Sequence, residues 1–234
     1  MLGRVVTAFT AKPVVGRQSQ ATRAWADGAL GEEHVARVLA RCSGVRTVHD
    51  CRMSGSRANI DHIAIGPSGV FVIDAKRYSG LVERRDVGGW LRSDERLYVA
   101  RRDRTKLVDG LQRQVEAVRR ALQDQEGEVV PVTPVLCFVG AEWPMLRRTR
   151  RVRGVIVTWP MALAKLVTAP GALTADDTAR LATSVAAGLP DAYGRRSVPL
   201  PAFWDRRSPA GARVYGAPGA SRSDAAPHLH PDQR

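Results

Sequence analysis

Apolar residues recur in this chain with a helical period in some stretches and a strand period in others, and the two alternate over most of its length. Val35, Val38, Leu39 and Cys42 share one face at helical spacing, which predicts a first helix over roughly 24–41, closed by Gly44. Extended segments follow at 45–49, 59–65 and 70–75. Gly66-Pro67-Ser68-Gly69 separates the last two and has the composition of a hairpin turn. Through 81–99 the strand signal becomes ambiguous, because Gly88-Gly89 and charged residues interrupt it. A second long helix is expected over 107–123 on the stripe Leu107, Leu111, Val115, Val118 and Leu122. The apolar run 132–139 reads as a central strand, with Pro134 counting against it. Residues 155–158 predict another strand, 161–167 a short helix and 174–188 a third helix. Thr174 stands three residues before Asp177, placed to cap the amides of that helix's start. The alternation predicts an α/β domain.

The 234 residues suffice for one well-buried domain with appendages. Arg4, Lys12, Arg17 and Arg23 stand in a stretch without acids, and no compact apolar block or cleavage site of a secretory signal accompanies them. Residues 1–23 therefore read as a mobile basic leader, 24–190 as the folded domain and 191–234 as a disordered tail rich in proline and arginine. No apolar run is long enough to span a bilayer, so no membrane partner and a cytoplasmic location are expected. Cys42, Cys51 and Cys137 are odd in number and form no CxxC pair. That excludes a disulfide framework and a zinc knuckle, and suits free thiols in a reducing compartment. The net charge of +13 attracts polyanions, nucleic acid first among them. Lys12, Lys76, Lys106 and Lys165 are the only lysines among 36 basic residues, and this arginine skew tempers the inference from charge.

The chemistry concentrates in Asn59-Ile60-Asp61-His62-Ile63-Ala64-Ile65, the turn, and Val70-Phe71-Val72-Ile73-Asp74-Ala75-Lys76. Four apolar residues announce a buried strand that nevertheless ends in Asp-Ala-Lys. Side chains alternate along a strand, so Asp74 and Lys76 share one face and Ala75 takes the other. The hairpin brings Asp61 beside them. Two close carboxylates repel unless a cation lies between them, which invites a hard metal ion such as Mg²⁺. A plain salt bridge is the competing reading of any isolated D-x-K. Here Asp61, the hairpin and the apolar flanks together favour a metal-dependent site.

These residues and their surroundings resemble the nuclease-related domain (NERD), a branch of the PD-(D/E)XK nuclease superfamily. The likeness begins at Gly28-Ala29-Leu30-Gly31-Glu32-Glu33 and continues through Ile60-Asp61-His62 and Gly69–Lys76 to Gly80 and Trp90. It ends near Arg113-Gln114, and covers about residues 25–140. The resemblance implies a restriction-endonuclease-like α/β fold, a mixed central sheet flanked by helices, and a nuclease dependent on Mg²⁺ or Mn²⁺, with nucleic acid as partner and DNA favoured over RNA. It implies Glu32, Asp61 and Asp74 as metal ligands or water-orienting acids, with the Ala75 carbonyl also on the metal. Lys76 becomes the catalytic lysine and Gln114 a residue that orients the site. The phase of the first helix decides between Glu32 and the adjacent Glu33. The alternative is a catalytically silent nucleic-acid-binding module on the same fold.

His62 should face away from Asp61 and reads as a hydrogen-bonded structural residue. Trp90 reads as a packing anchor in preference to a base-stacking residue. Of Gln112 and Gln114, about 200° apart on a helix, only one can face the site. Two basic clusters are candidate phosphate tracks: Arg101, Arg102 and Arg104, and then Arg147, Arg148, Arg150, Arg151 and Arg153. Each serves equally well as a solvated loop.

Overall fold

The computed structural model describes residues 20–53, 58–90, 92–126, 130–144 and 149–189. Residues 1–19 of the expected leader and the tail, together with Arg147 and Arg148, lie outside the described residues, whereas residues 20–23, expected as leader, form the first turn of a helix. Helix α1 (Gln20–Leu39) leads into strands β1 (Arg46–Arg52), β2 (Asn59–Gly66) and β3 (Gly69–Arg77). Three short strands follow, β4 (Val82–Asp86), β5 (Glu95–Val99) and β6 (Arg102–Asp103), before helix α2 (Thr105–Glu126). The chain continues through β7 (Val132–Val139), β8 (Arg150–Val152), β9 (Val155–Thr158), α3 (Pro160–Val167) and α4 (Ala175–Gly188).

The main sheet has the order β1-β2-β3-β7-β9-β8. Strands β1, β2 and β3 form an antiparallel meander; β7 then joins β3 in parallel and β9 joins β7 in parallel. The sheet is therefore mixed, as the family resemblance implies. Its strands are buried on both faces, which explains the near-continuous apolar runs of β3 and β7. One face packs Val72, Leu136 and Phe138 against Leu111 and Val115 of α2 and Leu181 and Val185 of α4. The other packs Phe71, Ile73, Ala75 and Cys137 against Val35 and Leu39 of α1 and Leu163 of α3. Leu136 is wholly buried, and truncating such a leucine to alanine costs about 2–5 kcal/mol.

Local chemistry accounts for the element ends. Thr174 accepts a hydrogen bond from the Asp177 amide while the Asp177 side chain caps the Thr174 amide, so α4 opens on the expected reciprocal box. The strand expected over 132–139 forms as β7, with Pro134 inside it. Strand β9 pairs with β7 only from Val135 onward, so the missing amide removes no bond from that ladder.

The ambiguous stretch 81–99 resolves into a separate sheet of order β4-β5-β6. Only Val82, Leu97 and Val99 among its residues are buried, too few to register as a pattern. Residues 150–152, part of the second basic cluster, form the edge strand β8. Arg153 (φ 49°) and Gly154 (φ 82°) make the two-residue turn to β9, with the left-handed pair that such hairpins require. Among the described residues no helix is long and apolar enough to cross a membrane.

Candidate active site

Alternation along β3 delivers the predicted arrangement. Ala75 lies in the core under α1 and α3, which sends Asp74 and Lys76 to the opposite face at the carboxyl end of the strand. Asp61 approaches from β2 and accepts a hydrogen bond from the Ala75 amide at 3.0 Å through Oδ2. The Asp61 and Asp74 carboxyl groups come within hydrogen-bonding reach of each other. The Lys76 ammonium stands among three oxygens. It donates a short hydrogen bond to Asp74 Oδ1, lies 3.3 Å from the Ala75 carbonyl oxygen and 3.8 Å from Asp61 Oδ2.

Glu32 reaches this cluster from α1 because the helix crosses β3 at very short range. A Cβ on Gly31 would stand 3.2 Å from Arg77 Cβ and 3.3 Å from its amide nitrogen, so only glycine permits this approach without a shift. An ion pair of 2.6 Å between Arg77 and Asp27 fixes the same crossing. Glu32 is half-buried and feels Asp50, Lys76 and Asp74. Glu33 is exposed and pairs with Arg37 one turn on, so the helix phase selects Glu32.

Burial raises the carboxyl groups of Glu32, Asp61 and Asp74 above their ordinary values, and mutual repulsion adds to it. Asp74 is only 6% exposed and is pushed up to about 7, burial being the largest cause and Lys76 opposing it. Burial works against the Lys76 ammonium, but Asp74 and Asp61 outweigh it and hold the amine protonated. Asp50 is an acid that sequence reasoning missed. The register that pairs His49 with His62 and Cys51 with Ile60 sets it opposite Asp61, at a left-handed φ of 53°. No spacing rule in the sequence would have singled it out.

The donor set suits a hard divalent ion. Its oxygens are two carboxylates and a backbone carbonyl, and a cationic nitrogen already stands among them. Among the described residues no three His, Cys, Asp or Glu side chains close on one point, so most of an ion's coordination would come from water or substrate.

The other predicted residues divide. Gln114 is half-buried on α2, which packs over the sheet face carrying Asp74 and Lys76. Its Oε1 is shielded and makes no hydrogen bond, whereas Gln112 is exposed. His62 Nδ1 shares a 2.8 Å hydrogen bond with His49 Nδ1, and burial lowers both rings, His49 to about 4. That makes them a neutral structural pair. Trp90 is 97% exposed, contrary to the expected packing anchor, because the hairpin that carries it projects beyond the core.

Arg101 and Arg102 are exposed at the turn between β5 and β6, and Arg104 lies over the Tyr78 ring at 4.9 Å. Arg150 and Arg151 lie on β8. Arg153 is already engaged: it bonds Asp94 at 2.7 Å, Asp109 at 3.1 Å and the Glu95 carbonyl at 3.0 Å. Its charge is offset within the protein, which weighs against a phosphate contact there.

No curated protein and no solved structure matches the chain. A family model does, over residues 27–139, the stretch that runs from the start of the Glu32 helix segment through Asp61, Asp74 and Lys76 to the end of β7. Over those residues the chain carries a nuclease-related domain, NERD, of the PD-(D/E)XK-like nuclease superfamily.

Proposed function

We propose that this protein is a divalent-metal-dependent nuclease that hydrolyses phosphodiester bonds, with DNA the favoured substrate. The convergence of Asp61, Asp74, the Ala75 carbonyl and Lys76 at the end of β3 carries this reading. Asp61, Asp74 and the Ala75 carbonyl would hold Mg²⁺ or Mn²⁺, with Glu32 near enough to orient its water. Such an ion supplies Lewis-acid polarisation of the scissile phosphate and neutralises developing charge.

The chain's own groups do the rest. Asp74 and Asp61 favour the protonated form of Lys76, so it serves as a donor to the attacking water or to a non-bridging phosphate oxygen. The Ala75 amide holds Asp61 Oδ2 in place, which fixes one carboxylate before substrate arrives. Raised carboxyl groups make the acid cluster costly to ionise alone and ready to trade protons for a cation. The test is cleavage of single- and double-stranded DNA and RNA with Mg²⁺, Mn²⁺, Ca²⁺ or chelator. Binding without cleavage under every condition would favour the silent module.

A further inference from the structure

A second concavity lies beyond the carboxyl ends of β7 and β9, beside the strand that carries Lys76. In the parallel register Lys76 stands opposite Phe138 and Arg77 opposite Val139, and both partners line this cavity. Adjacent strands lie about 4.8 Å apart, so the backbones of Phe138 and Val139 are one strand spacing from those of Lys76 and Arg77. Its volume is about 580 Å³, the size of a small-ligand site. His34 borders it from α1, two residues after Glu32.

Two indoles dominate the lining. Trp143 follows β7 and Trp159 follows β9, and their ring centroids are 5.0 Å apart at an interplanar angle of 53°. Each precedes a proline, Pro144 and Pro160, which restricts the backbone on which the ring is mounted. Trp143 Nε1 is shielded and makes no hydrogen bond, so what this indole presents to the cavity is ring surface. Met161, 69% exposed, forms a polarisable lip at the first turn of α3. Trp159 caps that helix without a side-chain hydrogen bond, so the amides of Met161 and Ala162 at its start take no side-chain cap from Trp159. Glu142 also borders the cavity and would repel a phosphate, which favours the uncharged part of a nucleotide on that side.

We infer that this cavity is a nucleobase-binding subsite, in which Trp143 and Trp159 take an unstacked base of single-stranded nucleic acid next to the scissile phosphate. The inference rests on the nuclease reading for its substrate and adds that the strand is presented unpaired at this position. Duplex bases present no free face, whereas indoles stack on any exposed base with little sequence preference.

The test uses the full chain in chelator, where binding is read without cleavage. A fluorescent single-stranded DNA oligonucleotide should bind Trp159→Ala roughly ten-fold or more weaker than wild type. Trp159→Phe should recover most of that loss, and affinity for a blunt duplex should change little in either variant. In wild type, a strand carrying 5-iodouracil should photocrosslink to Trp143 or Trp159, a readout that survives if a variant fails to fold. Unchanged single-strand affinity in Trp159→Ala, or crosslinking confined to exposed Trp90, would overturn the inference. Failure of the nuclease reading would look different: no cleavage with any metal, while the crosslink and the stacking loss persist.

Discussion

Raising the pH from about 6 to about 8 should tighten Mn²⁺ binding about ten-fold through Asp74 alone. Burial first, then repulsion from Asp61, lifts this carboxyl from 3.8 to about 7 against the pull of Lys76. One unit below that value roughly one-tenth of the group is ionised, and one unit above roughly nine-tenths, which gives the ten-fold change if only the ionised form binds. Asp61 is raised as well, so it steepens the same trend. The sign for stability is opposite. A carboxyl raised in the folded state favours folding most below its unfolded value, so metal-free stability should decline as pH rises from about 4 through about 7. Titration calorimetry in two buffers of different ionisation enthalpy reads both affinity and protons released. About one proton should leave per ion at the lower pH, and fewer at the higher. Asp74→Asn should bind more weakly and lose most of the slope. An affinity flat across this range, with no proton release, would refute the proposed ligand role of Asp74.

Lys76→Ala should lower turnover by at least about 10²-fold while Mn²⁺ binding persists, measured by single-turnover cleavage beside calorimetry. Near-normal turnover would reduce Lys76 to a structural partner of Asp74. Gly31→Leu should cost about 1–3 kcal/mol in denaturant unfolding and lower cleavage as well, since its side chain meets Arg77 and pushes Glu32 from the cluster. Unaltered stability would mean that α1 does not depend on this close crossing. Replacing Arg150 and Arg151 with serine should flatten the log–log dependence of nucleic-acid binding on salt. Arg153→Ser should leave that slope unchanged because Asp94 and Asp109 already hold its charge.

What could be seen in the sequence followed from strong periodicity near short turns. Asp61, Asp74 and Lys76 were legible because a tight hairpin and strict alternation determine where three residues of β2 and β3 must lie. The capping pair Thr174 and Asp177 was legible for a similar local reason. Glu32 needed more, since its place depends on how α1 crosses β3 at Gly31, a tertiary contact that helix phase alone cannot supply. Asp50 was hidden because its left-handed backbone lies inside a strand pattern that gives no sign of it. The tryptophans at 143 and 159 are sixteen positions apart and meet only through the parallel pairing of β7 and β9. Their shared signal, Trp-Pro after an apolar strand, is visible only once those strands are placed. The β4–β6 sheet was ambiguous because its polar strands bury so few side chains.

Cleavage of end-labelled single- and double-stranded DNA by the purified full chain tests the central claim most directly, with Asp74→Asn and Lys76→Ala run in parallel. The account predicts product with Mg²⁺ or Mn²⁺, none with chelator, and none above background from either variant. Cleavage that survives chelation, or equal activity in Asp74→Asn and wild type, would contradict it.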